Sequence, residues 1–248
     1  MSNIRKDINL KKVIIIPARL LSERLPEKPL KIILDKPMIN WTLEAVEKSS
    51  ADIVKVATDS KKIVNLFETS PEKVVITSSS HISGTDRVFE AANLLELKDE
   101  DIVINVQGDE PFINAKDLDN LFNLFDDKKN RIATLYSKIR NQEIFKDKNI
   151  VKVEINNGFA SKFMRMCLGG NNIYIHQGVY AFNFKTLKQF INLKPSKNEI
   201  KFKLEQLRAL ENGISIRAIE SVSEFHIGVD TQEDLKKANE FAKKNYSK

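Results

Sequence analysis

Three cations share one short loop directly behind an aliphatic run: Val13 to Ile16 leads into PARLLSERLPEKPL, which carries Arg19, Arg24 and Lys28. Ligands of open α/β sheets sit at strand ends, where arginine offers planar forks matched to phosphate oxygens and lysine a compact charge. A polyphosphate is the expected partner. The loop holds no glycine, so it is neither the cradle that ends in Gly-Lys-Ser/Thr nor a G-x-G-x-x-G turn. A solvated basic loop would carry the same residues.

Carboxylates stand at two comparable places. After the run Ile102 to Val106 comes QGDEP, and Asp109 there could hold Mg²⁺ against phosphate, because this hard ion takes oxygen ligands and shares them with a nucleotide. The alternative is an acidic turn in which Gly108 and Pro111 redirect the chain. Asp230, in HIGVDT, follows a short apolar run and precedes a helix start, so it is a second metal ligand or a capping acid. The segment SGTDR, Ser83 to Arg87, opens a helix with small and hydroxyl residues, an end that binds a base edge or an anion, or simply caps. His176 and Tyr180 lie on the β-segment HQGVY, where a lone histidine is a core residue as readily as a ligand. Glu205 and Gln206 in LEQLRAL flank the buried stripe of a helix and are by default solvated.

The elements that must position these groups alternate. Apolar runs at Val13 to Ile16, Ile53 to Ala57, Val74 to Thr77 and Ile102 to Val106 are separated by helical patterns at Met38 to Lys48, Lys61 to Glu68 and Thr85 to Leu97. Strand and helix in alternation imply a parallel sheet. From Arg131 to Phe184 the rhythm becomes β-rich, with Ile150 to Ile155 and Ile173 to Phe184 as strands and a mixed or antiparallel extension expected. A helix is expected over Lys197 to Asn212, with Ile200, Leu204, Leu207 and Leu210 on one face, followed by a strand from Ile214 to Ile219. Thr231 and Asp234 form a capping-box pattern ahead of a last helix that buries Leu235, Ala238 and Ala242.

With 248 residues, 42% hydrophobic and 30% charged, the chain reads as one α/β domain over residues 1–248, with 1–11 a flexible lead. No aliphatic run is long enough for a bilayer, and the polar start MSNIRKDINLKK does not resemble a secretory signal, so a cytoplasmic protein is expected. The net charge of +6 is spread through stretches that also carry acids, with no arginine–aromatic patch, which argues against nucleic acid as a partner. Cys167 is the only cysteine, so neither an intrachain disulfide nor a zinc cluster is available.

Taken in order, PARLLSERLP-KPL, ATD, SGTDR, VQGDEPFI, H-x-G-x-Y, KLEQLRAL and GVDTQEDL resemble the 3-deoxy-manno-octulosonate (KDO) cytidylyltransferases, from about Val13 to Leu235. The resemblance implies a Rossmann-like nucleotidyltransferase domain, a homodimer that uses CTP and Mg²⁺ to activate an acidic 3-deoxy sugar for lipopolysaccharide assembly. It makes Arg19, Lys28 and Asp109 catalytic and gives the nucleotide Ala18, Arg19, Arg24, Lys28, Ser83, Gly84, Thr85, Arg87, Gln107 and Gly108. It assigns the metal to Asp109 and Asp230, and the sugar to Arg165, His176, Tyr180, Glu205 and Gln206. Two departures stand out: Glu27 replaces a common glycine, and the segment from Arg165 through Gly169 and Gly170 to Ile173 is shorter than the polar loop usual in the family.

Overall fold

Val13, Ile14, Ile15 and Ile16 are all fully buried, although neighbouring side chains on a strand point to opposite faces. A strand buried on both faces belongs inside a parallel sheet covered by helices, which is why its sequence is a continuous aliphatic run. The computed structural model describes residues 10–223 and 228–246, so most of the expected flexible lead, residues 1–9, and His226 and Ile227 of the HIGVDT run lie outside the described residues.

The first half runs β1 (Lys12–Ala18), β2 (Ile32–Ile33), β3 (Lys36–Pro37), α1 (Met38–Val46), β4 (Ile53–Thr58), α2 (Lys61–Asn65), β5 (Val74–Ile76), α3 (Gly84–Leu94) and β6 (Ile102–Asn105). The second runs α4 (Ala115–Asn123), β7 (Ile132–Ser137), β8 (Lys152–Asn156), β9 (Phe159–Met164), β10 (Ile173–Asn183), α5 (Phe184–Asn192), α6 (Lys197–Phe202), α7 (Leu207–Glu211), β11 (Ile216–Glu220) and α8 (Gln232–Tyr246).

Nine strands form one sheet in the order β5-β4-β1-β6-β10-β7-β11-β9-β8. The stretch β5-β4-β1-β6 is parallel, and β10 then joins antiparallel to β6. Beyond it the β-rich half closes on itself, because β8 pairs with both β9 and β10. Val13 and Ile15 of β1 pack with Val88, Ala91 and Ala92 of α3 on one face. Ile14 and Ile16 pack with Ile39, Leu43 and Val46 of α1 on the other. Each such side chain contributes roughly 1.5–3 kcal/mol of burial, so β1 is a rigid base for the loop that follows it.

The expected helix over Lys197 to Asn212 is two helices. Lys203 adopts φ 52°, ψ 51°, ending α6, and α7 starts only at Leu207. Ile200, placed on the buried face by periodicity, is 68% exposed. Two helices without a counterpart among the sequence patterns also stand out, α4 behind the Asn114 cap and α5 behind the Asn183 cap.

Candidate active site

The loop leaving β1 returns through a 3₁₀ turn, Lys28–Leu30, whose Pro29 is buried. This turn aims Lys28 inward, where Nζ donates to Asp109 and, at 2.9 Å, to Asp230 Oδ1. Arg24 Nη2 lies 2.9 Å from Asp230 Oδ2. Burial alone would lower the Lys28 pKa, but the carboxylates of Asp109 and Asp230 override it and hold the ammonium above its usual value. Burial would likewise raise Asp230, and Lys28 with Arg24 pull it below the usual carboxylate value.

Two distant parts of the chain meet here through the backbone: Val229 N–H donates to the Asp109 carbonyl at 3.0 Å. Val229 is fully buried with Leu25, Met38, Trp41, Leu235 and Ala238, a cluster beneath the cationic loop. Thr231 and Asp234 close the expected capping box, with Asp234 accepting from Thr231 N–H at 2.9 Å and Asp234 N–H donating back to Thr231 Oγ1 at 3.2 Å. Asp109 sits in a turn that needs glycine beside it, since a Cβ on Gly108 would lie 3.3 Å from both Ile39 Cδ1 and the Pro17 carbonyl. The result is a cleft of about 570 Å³ walled by Arg19, Arg24, Lys28, Gln107, Asp109 and Asp230. Arg19 stands exposed at its rim with no ion pair among the described residues. A larger groove beside Trp41 and Tyr246 lacks such convergence, because its Lys36 and Glu44 pair with each other.

Glu27 explains one departure from the family pattern. It holds φ 52°, ψ 38°, a left-handed conformation that glycine adopts readily and that costs other residues roughly 1–2 kcal/mol.

From the cleft a hydrogen-bonded chain runs inward. Gln107 Nε2 donates to Asn105 Oδ1 at 2.9 Å, Asn105 Nδ2 to Thr85 Oγ1 at 3.4 Å, and Thr85 Oγ1 to Glu205 Oε2 at 2.5 Å. Ser83 and Asp86 form a capping box at the head of α3, and Gly84 packs so closely that a Cβ would lie 3.2 Å from Gln107 Oε1. Glu205, Gln206, Thr85 and Tyr180 line a crevice of only about 10 Å³, beside which Glu205 Oε1 and the Tyr180 hydroxyl are buried with no hydrogen-bond partner among the described residues. Burial pushes the Glu205 carboxyl up against the opposing pull of Thr85, Ser83 and Arg208, and burial and then Glu205 push the Tyr180 phenol up. His176 borders Tyr180, ring centroids 5.3 Å apart, with Nε2 3.0 Å from Thr134 Oγ1.

Two expected site residues face elsewhere. Arg87 is buried beneath the site, with Nη1 on Thr77 Oγ1 at 2.6 Å and Nη2 3.1 Å from Asp59, so it braces the head of α3 from below. Arg165 donates to three backbone carbonyls. Asn105 and the bond from Thr85 to Glu205 are site features that no sequence expectation covers. The available signal was a single amide in the otherwise aliphatic strand IVIN.

Asp109 and Asp230 converge on one ammonium, which shows that both can face a single cation. Their hard oxygen donors fit Mg²⁺, and two carboxylates leave its remaining positions to phosphate and water. No group of three or more potential ligands occurs among the described residues.

A family model described as cytidylyltransferase matches residues 13–216. The 3-deoxy-manno-octulosonate cytidylyltransferase of Thermodesulfovibrio yellowstonii is 39% identical over 246 residues, covering 91% of this chain and 96% of that protein. Its counterpart in Francisella tularensis subsp. novicida is 41% identical over 238 residues, covering 90% and 95%. A solved CMP:2-keto-3-deoxy-manno-octonic acid synthetase complexed with CTP superposes with a TM-score of 0.86 at 34% identity, over 94% of this chain and 99% of that one. A cytidylyltransferase from Leptospira borgpetersenii, at 19% identity and a TM-score of 0.63 over 96% and 89%, shares the fold.

Proposed function

The chain belongs to the cytidylyltransferase family, and from that premise we propose that it transfers the cytidylyl group of CTP to KDO, giving CMP-KDO and pyrophosphate for lipopolysaccharide biosynthesis. The observation that carries this reading is the meeting of Lys28, Arg24, Asp109 and Asp230 in one cleft, which Gln107 on its wall links through Asn105 and Thr85 to Glu205.

In this reading the sugar's anomeric hydroxyl attacks the α-phosphorus in line, the new P–O bond forms as the bond to pyrophosphate breaks, and no enzyme ester intervenes. Positioning and charge neutralisation supply most of the acceleration, as in phosphoryl transfers generally. Arg19, Arg24 and Lys28 bind the triphosphate. Ala18, Gly108, Gln107 and the head of α3 at Ser83, Gly84 and Thr85 shape the nucleotide pocket, with Arg87 bracing them. Asp109 and Asp230 would hold Mg²⁺, which would supply neutralisation of phosphate charge and polarisation of the α-phosphate. His176, Tyr180, Glu205 and Gln206 take the sugar.

The short segment after Arg165, with Leu168 fully exposed, favours an acceptor altered at its far end, such as an amino-substituted KDO or another acidic sugar, as a second reading. Pyrophosphate release from CTP and Mg²⁺ with a panel of acidic sugars tests both. Release with KDO supports the first, release only with a substituted sugar supports the second, and none with any acidic sugar sinks both. The reading carries with it a cytoplasmic homodimer. No described helix is long and apolar enough to cross a membrane, and Met166, Leu168, Ile200 and Phe202 expose apolar surface on segments that Arg165 ties together. Sedimentation at micromolar concentration tests the dimer.

A further inference from the structure

Arg165 follows β9 and its guanidinium reaches across to the end of α6. Nε donates to the Phe202 carbonyl at 2.8 Å, Nη2 to the Lys203 carbonyl at 3.0 Å and Nη1 to the Lys148 carbonyl at 3.1 Å. The carbonyls at a helix end have no partner within the helix, so this fork caps α6 from a distant part of the chain. Arg165 is itself anchored: its carbonyl accepts from Lys152 Nζ at 2.8 Å. Lys152 is fully buried, and its other donors go to the carbonyls of Asp147 and Ile150. All three N–H groups of that ammonium are thereby satisfied.

The capped end is where the helix expected from periodicity breaks. Lys203 takes the left-handed conformation, Leu204 turns into the core at 4% exposure, and Glu205 reaches Thr85. The left-handed conformation costs a lysine roughly 1–2 kcal/mol, which the bonds from Arg165 to the Phe202 and Lys203 carbonyls help offset, and a chain that instead continued along α6 would carry Glu205 and Gln206 away from Tyr180.

We propose that Arg165 is a positioning residue: anchored by Lys152, it caps α6, keeps Lys203 left-handed and so presents Glu205 and Gln206 to the acceptor without touching it. The assignment of the acceptor rests on the function proposed above; the positioning itself does not.

The test compares Arg165→Ala with the double variant Arg165→Ala/Lys203→Gly, since glycine adopts the left-handed conformation without a Cβ penalty while keeping the carbonyl in place. In the unliganded protein, amide exchange over Leu204 to Arg208 should quicken in Arg165→Ala and slow again in the double variant. In turnover, Arg165→Ala should raise the acceptor KM by about tenfold, the scale of losing one left-handed residue's preference, leave CTP affinity within about twofold, and recover in the double variant. Parental exchange in Arg165→Ala, or failure of Lys203→Gly to restore it, overturns the proposal. Because exchange is read with no substrate present, its outcome decides the positioning role whatever the acceptor proves to be.

Discussion

Lys28 is the residue on which both site carboxylates converge, and its raised pKa has a definite consequence for stability. A lysine held above its unfolded value stabilises the fold fully below that unfolded value and loses the contribution as pH rises through the folded one. For Asp230, pulled down by Lys28 and Arg24 against the upward push of burial, the contribution is present above the ordinary aspartate value of 3.8 and disappears as pH falls through its lowered one. The Lys28–Asp230 pair is therefore intact through neutral pH, where CTP would meet it charged. Asp109→Asn and Asp230→Asn should each lower cytidylyl transfer by at least on the order of 10²-fold, the scale of removing one transition-state electrostatic contact. Circular dichroism should show the fold unchanged, and turnover near the parent's in either variant would remove that residue from the metal. Arg19 differs because it is exposed and has no ion pair among the described residues to lose. Arg19→Ala should raise the CTP KM only several-fold, about 1 kcal/mol or less for an exposed contact, and flatten its dependence on salt. A CTP KM that matches the parent at low salt would return Arg19 to plain surface charge.

At the scale of elements, α3 must bring its N-terminus against Gln107 and Pro17, and Gly84 is the residue that permits the approach. An alanine there would meet Gln107 Oε1 at 3.2 Å and Pro17 Cγ at 3.3 Å, and the amide, being the movable partner, would be displaced from the cleft. Alanine also favours helix over glycine by up to about 1 kcal/mol. Gly84→Ala should therefore keep or slightly raise Tm while raising the CTP KM, a split that thermal melts and initial rates would reveal. A drop in both Tm and CTP affinity would mean that Pro17 and β1 give way instead. The parallel strands are legible in the sequence because a strand buried on both faces writes itself as an unbroken aliphatic run, as at Val13 to Ile16. The break in the 197–212 helix is not, since Leu204, Leu207 and Leu210 keep helical spacing while the cap that interrupts it consists of a distant arginine on backbone carbonyls. The same holds within the site. Asp109 announces itself just after an aliphatic strand and Asp230 just before a helix start, both in family motifs, whereas Arg165's partners are carbonyls, which every residue possesses and no sequence marks.

Across the whole molecule, the two packed faces of the nine-stranded sheet and a third apolar cluster hold a site that works against the fold's own stability. The Tyr180 hydroxyl and Glu205 Oε1 are both buried without partners, and an unsatisfied buried polar group costs about 1–3 kcal/mol. Such groups persist where a ligand completes them, so the unliganded protein should be less stable than its core allows. Glu205 offers a clean measure. Burial raises its pKa above the ordinary glutamate value of 4.5, so the folded state binds the proton more readily than the unfolded chain does. The penalty for the ionised form is therefore full above the folded value, shrinks as pH falls through it, and is gone below about 4.5. Glu205→Gln, neutral at every pH, should raise Tm at neutral pH by a few degrees, the shift that about 1 kcal/mol produces in a chain of this size. That gain should fade as the buffer is taken toward pH 4.5, and the variant should lose acceptor turnover while still binding CTP. Saturating acceptor should reverse the order at neutral pH, because a ligand bound by the parent alone raises only the parent's Tm. A variant that melts below the parent at neutral pH, or a gain that does not change with pH, would show that the Thr85–Glu205 bond outweighs the buried charge and that the cavity is built for the fold.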